Sequence, residues 1–153
     1  MTRPPSPSGE WEIRPLADGE ADVVGAVLGL ARLHQGNGLY LVAWVGSEPV
    51  GHAHLALTDP PEMQDVHVRE THRRRGIASA LTRAVETEAR ARGYATLRVT
   101  VSVDSPDAQA VYRKLGFADT GIPPRRVLGT VQIRTGPLEV DDTLLTWETP
   151  LHG

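Results

Sequence analysis

The residues best suited to chemistry lie in one basic segment, where Arg69 and the run Arg73 to Arg75 are followed by Gly76 and Ala78. A short strand-like stretch precedes this segment, and apolar residues at helical spacing follow it. The N-terminus of a helix presents unpaired backbone N–H groups and the positive end of the helix dipole. Small residues allow an anion to approach the backbone, and arginines add charged donors. The pattern therefore predicts a phosphate-binding turn, with a solvated basic turn as the alternative.

Composition and spacing exclude several other kinds of site. The sequence contains neither the G-x-x-x-x-G-K-[ST] loop nor the G-x-G-x-x-G loop, and no element for recognising a base or ribose accompanies the turn. The absence of cysteine excludes a disulfide framework, a zinc finger and thiol catalysis. The net charge of −3 argues against a nucleic-acid partner.

Three histidines resemble a metal cluster at first sight. His52 and His54 share one face of a predicted strand, and His67 lies in the next strand along the chain. No pattern of carboxylates or cysteines accompanies them, so we expect no metal. We expect these histidines to line a groove for the acceptor or to lie on a solvated face.

The elements that position the basic segment alternate between strand and helix patterns. The periodicity predicts strands at 11–14, 39–45, 50–57, 63–68, 97–103 and 143–149 and helices at 18–33, 76–92 and 105–115. In the first helix Asp18 is the expected cap, and the apolar stripe consists of Val23, Val27, Leu28, Leu30 and Leu33, while residues 121 to 142 fit no pattern. This order predicts an α+β fold with a mixed, mostly antiparallel central sheet flanked by helices.

The ends and apolar runs of the chain define its organisation. Residues 1 to 9, rich in proline and serine, predict a disordered leader, and residues 10 to 153 predict a single domain. The longest apolar stretch, from Val23 to Ala31, is too short to cross a membrane. We therefore expect a cytoplasmic protein without a membrane partner.

Two motifs together resemble the GNAT superfamily of N-acetyltransferases. Arg73-x-x-Gly76-x-Ala78 matches the superfamily's R/Q-x-x-G-x-G/A signature. About thirty residues later, Ala108, Tyr112, Gly116 and Phe117 match its second signature, a helix ending in A-x-x-x-Y-x-x-x-G-F. The resemblance covers residues 40 to 120 well and implies the GNAT acyl-CoA acyltransferase fold. It also implies acetyl-CoA as co-substrate, no metal, and direct attack by a small-molecule or peptide amine in a ternary complex.

The resemblance assigns residues to the cofactor one by one. Those implied for the pantetheine arm are Val66, His67 and Val68, and those implied for the pyrophosphate turn are Arg73, Arg74, Arg75, Gly76, Ile77, Ala78 and Ser79. Ser105 stands where the family often carries asparagine, seven residues before the signature tyrosine. Serine has a shorter reach, but it caps a helix well, and we expect it to start the helix with Pro106 at the first position.

Two residues are the candidates for proton transfer. The resemblance implies that Tyr112 protonates the departing CoA thiolate, although the helix stripe alone makes it a core tyrosine. Glu62, six residues before Val68, matches the catalytic glutamate of histone-type members, but the adjoining Pro60-Pro61 departs from their pattern. A chain of water molecules is the equal alternative for the base. In a regular strand, Asp65 and His67 would face away from Val66 and Val68.

Two questions of function stay open at the level of sequence. A non-catalytic acyl-CoA-binding or interaction module on the same fold is the competing hypothesis, since a fold does not fix a function. The acceptor could be a peptide N-terminus, a lysine side chain, a polyamine or an aminoglycoside. Residues 121 to 142 could close the acceptor groove or form a homodimer contact. Their acidic residues, Glu139, Asp141 and Asp142, could attract a cationic amine.

Overall fold

The computed structural model of the protein describes residues 11–17, 19–30, 37–133 and 136–151. The predicted leader, residues 1 to 9, and the predicted helix cap, Asp18, lie outside these ranges. The elements are β1 (Glu12–Pro15), α1 (Ala21–Leu28), β2 (Gly38–Val45), β3 (Glu48–Ala56), β4 (Glu62–Val68), α2 (Ile77–Ala91), β5 (Thr96–Ser102), α3 (Pro106–Lys114), β6 (Ala118–Asp119), β7 (Arg125–Ile133) and β8 (Gly136–Pro150). A single 3-10 turn, Glu70–His72, lies between β4 and α2.

The strands form one mixed sheet, as predicted. The order is β1-β2-β3-β4-β5-β8-β6, and β7 pairs with β8. All neighbouring strands run antiparallel except β4 and β5, which are parallel. The predicted hairpin at 39–57 is present as β2 and β3. The α+β fold with a mostly antiparallel sheet is thus confirmed.

The parallel pair in the middle of the sheet is short. Glu62 is opposite Arg98 and Met63 is opposite Val99, and the pairing extends no further. Beyond Met63 the two strands separate, although each continues for several residues. A gap therefore opens between the C-terminal halves of β4 and β5, next to the start of α2.

Helix α2 covers one face of the sheet in the predicted way. Its residues Ile77, Leu81, Val85 and Ala89 are buried at helical spacing in the main core. Gly93, with a left-handed φ of 89°, follows the helix end. Complete burial of each large aliphatic side chain stabilises the fold by about 1.5–3 kcal/mol. This helix is predictable because its own sequence contains the whole apolar stripe that the sheet needs.

Helix α1 covers the other face with a side that was predicted only in part. Of the predicted stripe, Leu30 is buried just after the helix and Leu28 packs beside it, whereas Val23 and Val27 are 52% and 41% exposed and Leu33 lies outside the described residues. Val24 is instead fully buried, in a second cluster with Tyr40, Val42 and Trp44. Because the helix has only eight residues, contact with the sheet rather than a long repeat decides which side is covered. None of the helices in the described ranges is long and apolar enough to span a membrane.

Residues 121 to 142, which fit no pattern, contain β7 and the first part of β8. The last strand begins at Gly136 rather than at Thr143, and it pairs with β7 from Gly136 to Leu144. Most side chains of Arg125–Thr130 and Gly136–Asp141 are solvent-exposed. Apolar residues do alternate here, at Val127, Val131 and Ile133 in β7 and at Leu138 and Val140 in β8, but glycine, proline and charged residues interrupt the pattern.

Candidate active site

The turn between β4 and α2 exposes an uncapped helix N-terminus. Gly76 is the N-cap, with a left-handed φ of 85°, and no side chain caps the helix. The first intrahelical bond at this end is donated by the Ala80 amide to the Gly76 carbonyl. The preceding amides of Ile77, Ala78 and Ser79 therefore have no partner within the helix. Such amides and the helix dipole attract an anion.

The arginines of this turn have different roles. The Nε of Arg73 donates to the Val68 carbonyl at 3.0 Å, which ties the turn to the end of β4. Arg69 forms an ion pair with Glu48 on β3. Arg74 and Arg75 are solvent-exposed, and Arg74 has a left-handed φ of 65°. The charge predicted for the turn is thus present, and Arg73 also fixes the position of the turn.

Strand β4 is bulged rather than regular where it leaves β5. Gln64 is opposite His54, yet the next pair is His67 with His52, so the register shifts. Asp65 lies within this bulge and has a left-handed φ of 57°. Asp65 and His67 nevertheless face away from the main core, while Val66 and Val68 pack against it. The predicted division of side chains between the two faces is therefore correct, but an irregular strand produces it.

A polar cluster, consisting of Tyr40, His52, His54, Asp65 and His67, occupies the α1 face of the sheet. Tyr40, His52 and His54 are buried, whereas Asp65 and His67 are exposed. The Tyr40 hydroxyl donates to the Asp65 carboxylate at 3.0 Å. The ring centroid of Tyr40 lies 4.9 Å from that of His54, and the centroids of His52 and His67 are 5.6 Å apart. The described residues include no group of three or more side chains arranged to hold a metal ion.

Burial controls the ionisation of His52 within this polar cluster. Desolvation lowers the pKa of His52 below its usual value, and the neighbouring His67 lowers it further. The charge of Asp65 and a hydrogen bond to its backbone act in the opposite direction. Because burial is the largest of these effects, His52 is neutral at neutral pH.

A cavity of about 360 Å³ opens on the same face, beside His67. Its other lining residues are Val27, Leu28, Arg69, Glu70, Thr71 and Arg73. The cavity therefore lies between the end of α1 and the turn that begins α2. It is large enough for a small polar group and is reached from solvent.

Helix α3, which follows β5, brings Tyr112 to the main core. The ring is half-buried and makes an edge contact with Phe117, the centroids being 5.5 Å apart. Burial raises the pKa of the Tyr112 hydroxyl. At neutral pH the hydroxyl is therefore protonated and can donate its proton.

Ser105 occupies the N-cap position of α3, but its side chain makes no capping hydrogen bond. The expected capping contact is therefore absent, while Pro106 and Asp107 lie in the first turn as predicted. The physical reason is the backbone of Ser105, whose ψ of 72° is far from the fully extended value at which a cap side chain reaches back to the helix. Gln109 fastens this end instead, because its side-chain amide donates to the carbonyls of Ser102 and Val103.

Glu62 lies at the closed end of the gap. It is paired with Ala56 and Arg98, and its carboxylate accepts a hydrogen bond from Gln64 at 3.1 Å. Gln64 is opposite His54, so the two side chains share the α1 face. On β3, the residue opposite Glu62 is four positions from His52, which corresponds to about 13 Å. Glu62 and the His52–His67 pair therefore lie on the same face of the sheet but far apart along the strands.

Two contacts of this site were not predicted from the sequence. The Tyr40–Asp65 hydrogen bond and the Arg69–Glu48 ion pair each join strands more than twenty residues apart. The alternation of Tyr40, Val42 and Trp44 does indicate a shared face in β2. The position of Asp65 next to Tyr40, however, depends on the register of β2, β3 and β4, which no local pattern marks.

Comparison with known proteins identifies the relatives of this fold. The sequence model of the Acetyltransferase (GNAT) family matches residues 4–117. The structure is similar to the ribosomal-protein-S18-alanine N-acetyltransferase of Escherichia coli, with 19% identity, a TM-score of 0.71 and coverage of 94% of this chain and 95% of that one. Among curated proteins, none matches the chain.

Two further similar structures contain a cofactor. A GNAT family acetyltransferase from Elizabethkingia anophelis with acetyl-CoA bound is 17% identical, with a TM-score of 0.68 and coverage of 93% and 99% of the two chains. An acetyltransferase from Bacillus subtilis in complex with CoA is 18% identical, with a TM-score of 0.66 and coverage of 94% and 100%. The structural similarity shows a common fold, and the family match extends over most of the sequence. The chain therefore belongs to the GNAT acetyltransferase family.

Proposed function

We propose that the protein is an N-acetyltransferase that transfers the acetyl group of acetyl-CoA to a primary amine by direct attack in a ternary complex. The observation that carries this proposal is the gap between β4 and β5, which opens beside the uncapped N-terminus of α2. A gap of this kind offers backbone groups to an extended pantetheine arm, and the helix end offers amides to a pyrophosphate. Membership of the family and its cofactor-bound relatives support the same cofactor.

The proposed cofactor site extends along the edge of β4 into the turn. Val66, His67 and Val68 contribute backbone groups to the pantetheine arm. The amides of Ile77, Ala78 and Ser79, with Gly76 in its left-handed conformation, surround the pyrophosphate. Arg73, Arg74 and Arg75 supply positive charge, and Ser105 lies at the start of α3 across the gap.

The reaction needs an unprotonated amine and a protonated leaving group. A primary amine with a pKa near 10.4 must lose one proton before its nitrogen attacks the thioester carbonyl. A C–N bond forms, the negative charge on the oxygen is received by backbone N–H groups near Val68, and the C–S bond then breaks. Tyr112 donates its proton to the sulfur of CoA and recovers one from solvent. No metal is needed, and the absence of cysteine is compatible with direct transfer.

Two routes are available for the proton of the amine. Glu62 is the first, since its carboxylate lies at the closed end of the gap on the face opposite α2. A chain of water molecules leading to solvent is the second. Both routes approach the thioester from the α1 face, which is also where the cavity beside His67 opens.

A small molecule or peptide with a primary amine is the proposed acceptor. The acidic residues of the β7–β8 hairpin already have partners within the hairpin or beside it: Asp141 pairs with Arg126, and Asp142 accepts from Ser102. The charge of these two residues is therefore partly neutralised, and attraction of a cation by the hairpin is a weaker basis for choosing the acceptor. Dependence on acetyl-CoA supports the cytoplasm as the location.

Acetyl-CoA binding and turnover test this function separately. Acetyl-CoA at one hundred times its dissociation constant should stabilise the protein by about 2.7 kcal/mol, which raises the melting temperature by roughly 5–10 °C. Release of CoA should then be measured with peptide N-termini, lysine side chains, polyamines and aminoglycosides. Stabilisation without turnover of any of these amines would favour a non-catalytic acyl-CoA-binding module. No stabilisation by either acetyl-CoA or CoA would contradict both readings.

A further inference from the structure

The side chain of His67 is next to the proposed thioester, at the open end of the polar cluster. It lies between Val66 and Val68, whose backbones border the gap, but its ring points to the α1 face. The ring is exposed and lines the cavity of about 360 Å³. An amine that enters this cavity would therefore meet an imidazole before it reaches the thioester carbonyl.

The buried ring of His52 lies directly behind His67. Its Nδ1 is buried and has no hydrogen-bond partner in the described part of the chain. The hydrogen bond from the ring to the backbone of Asp65 therefore belongs to Nε2, which donates to the carbonyl. This bond is compatible with the tautomer of His52 that carries its proton on Nε2.

The charged groups near the two rings are Asp65 within the polar cluster and Arg69, Glu70 and Arg73 along the lining of the cavity. Tyr40 on β2, His54 on β3 and Asp65 on β4 are the other titratable groups of the polar cluster, and Asp65 is the one that carries a negative charge at neutral pH. The only charged residue within α1 is Asp22, which is exposed in its first turn. A neutral His52 adds no positive charge beside His67.

We propose that His67 is the general base that removes the proton from the acceptor's ammonium group, and that His52 is the residue that positions it. This inference rests on the proposed function and specifies the route that a water chain would otherwise leave undefined. The proton moves from the amine nitrogen to a ring nitrogen of His67 and then to solvent, and the amine attacks as described above. An imidazole, with an ordinary pKa near 6.5, is a stronger base than a carboxylate and is better matched to neutral pH.

The pH dependence of turnover distinguishes this role from a structural one. His67→Gln should lower kcat/KM at pH 7 by about 10²- to 10⁴-fold, without changing the KM for acetyl-CoA. The loss should shrink towards pH 10, because the fraction of amine that is already unprotonated rises tenfold per pH unit. His72→Gln replaces a histidine outside the polar cluster and should keep the wild-type profile.

His52→Gln tests the positioning role. It should lower kcat about tenfold and leave the KM for acetyl-CoA unchanged, because the ring that packs behind His67 and holds it in place is gone. The tautomer of His52 is measurable without turnover, by nitrogen chemical shifts of the labelled imidazole. A proton on Nε2 at pH 7 supports the arrangement, and a proton on Nδ1 overturns it.

The outcomes separate this proposal from the proposed function. If the wild-type protein acetylates none of the amines, the proposed function fails. If the wild type is active and His67→Gln keeps its rate and its acidic limb, only the histidine proposal fails. Loss of the acidic limb in Glu62→Gln but not in His67→Gln would assign the base to Glu62 and likewise overturn it.

Discussion

At the scale of single residues, Tyr112 shows how a core side chain can also be a proton donor. Its ring packs against Phe117, and burial raises the pKa of its hydroxyl. Tyr112→Phe keeps this packing and removes only the proton. We expect kcat to fall by about 10²- to 10⁴-fold, with little change in the KM for acetyl-CoA or in the melting temperature. Steady-state kinetics with thermal denaturation would measure both.

Tyr94 provides the matched control for this substitution. It is also partly buried against the main core, but it follows the end of α2 and takes no part in the proposed chemistry. Tyr94→Phe should therefore leave kcat unchanged. Full turnover in Tyr112→Phe would show that the thiolate leaves without this acid.

At the scale of elements, the N-terminus of α2 depends on one glycine. Gly76 has a φ of 85°, which costs a residue with a Cβ about 1–2 kcal/mol. The nearest atom to an added Cβ belongs to Trp11, at 4.0 Å, so strain rather than a clash is the consequence. Gly76→Ala should lower the melting temperature by roughly 2–8 °C and weaken acetyl-CoA binding, because relief of the strain displaces the amides. Calorimetry of unfolding and of binding would measure these effects.

Gly93 offers the same substitution at the opposite end of the same helix. Its φ is 89°, and no atom lies within 4 Å of an added Cβ. Gly93→Ala should cost similar stability and leave the dissociation constant of acetyl-CoA unchanged. Equal acetyl-CoA affinity in both variants would mean that the start of α2 does not bind the pyrophosphate.

Differences between the elements explain which parts of the fold could be predicted from the sequence. Helix α2 and the β2–β3 hairpin were predictable because their own residues carry the apolar pattern and the turn. The buried side of α1 was predictable only in part, because a short helix takes its orientation from the sheet. The bulge at Asp65 was hidden, since it is defined by the register between β3 and β4 rather than by a local pattern. Motif spacing thus indicated the turn that we propose for the cofactor, whereas the polar cluster could be found only in the structure.

At the scale of the whole molecule, the two faces of the sheet carry different sets of side chains. The α2 face contains the larger apolar core and supports the turn proposed for the cofactor. The α1 face has a smaller apolar cluster, and beside it the polar cluster and the cavity. Because β4 contributes side chains to both faces, this one strand borders both the gap proposed for the cofactor and the face proposed for the acceptor.

Burial of His52 on the α1 face makes the stability of the whole fold depend on pH. In the unfolded chain its pKa is near 6.5, and burial lowers it in the folded protein. As the pH falls below about 6.5, the unfolded state binds a proton that the folded state still excludes, so the free energy of unfolding decreases. Titration of one such group gives a slope of at most about 1.4 kcal/mol per pH unit. The pKa of Glu20 is also lowered, by Arg14, but that group begins to lose its contribution only below about pH 4.5.

Denaturant unfolding between pH 5 and pH 8 isolates the contribution of His52. The wild-type free energy of unfolding should be flat above pH 7 and fall towards pH 5, while His52→Gln should be less stable at pH 7 but nearly independent of pH over the same interval. His72→Gln should retain the wild-type slope, because its ring lies outside the polar cluster. An identical slope in wild type and His52→Gln would place the proton uptake elsewhere in the fold. If the dependence of the free energy of unfolding on pH is lost only in His52→Gln, the face proposed for the acceptor stays folded by keeping a buried imidazole neutral. A neutral His52 is also the condition that leaves His67 able to accept a proton.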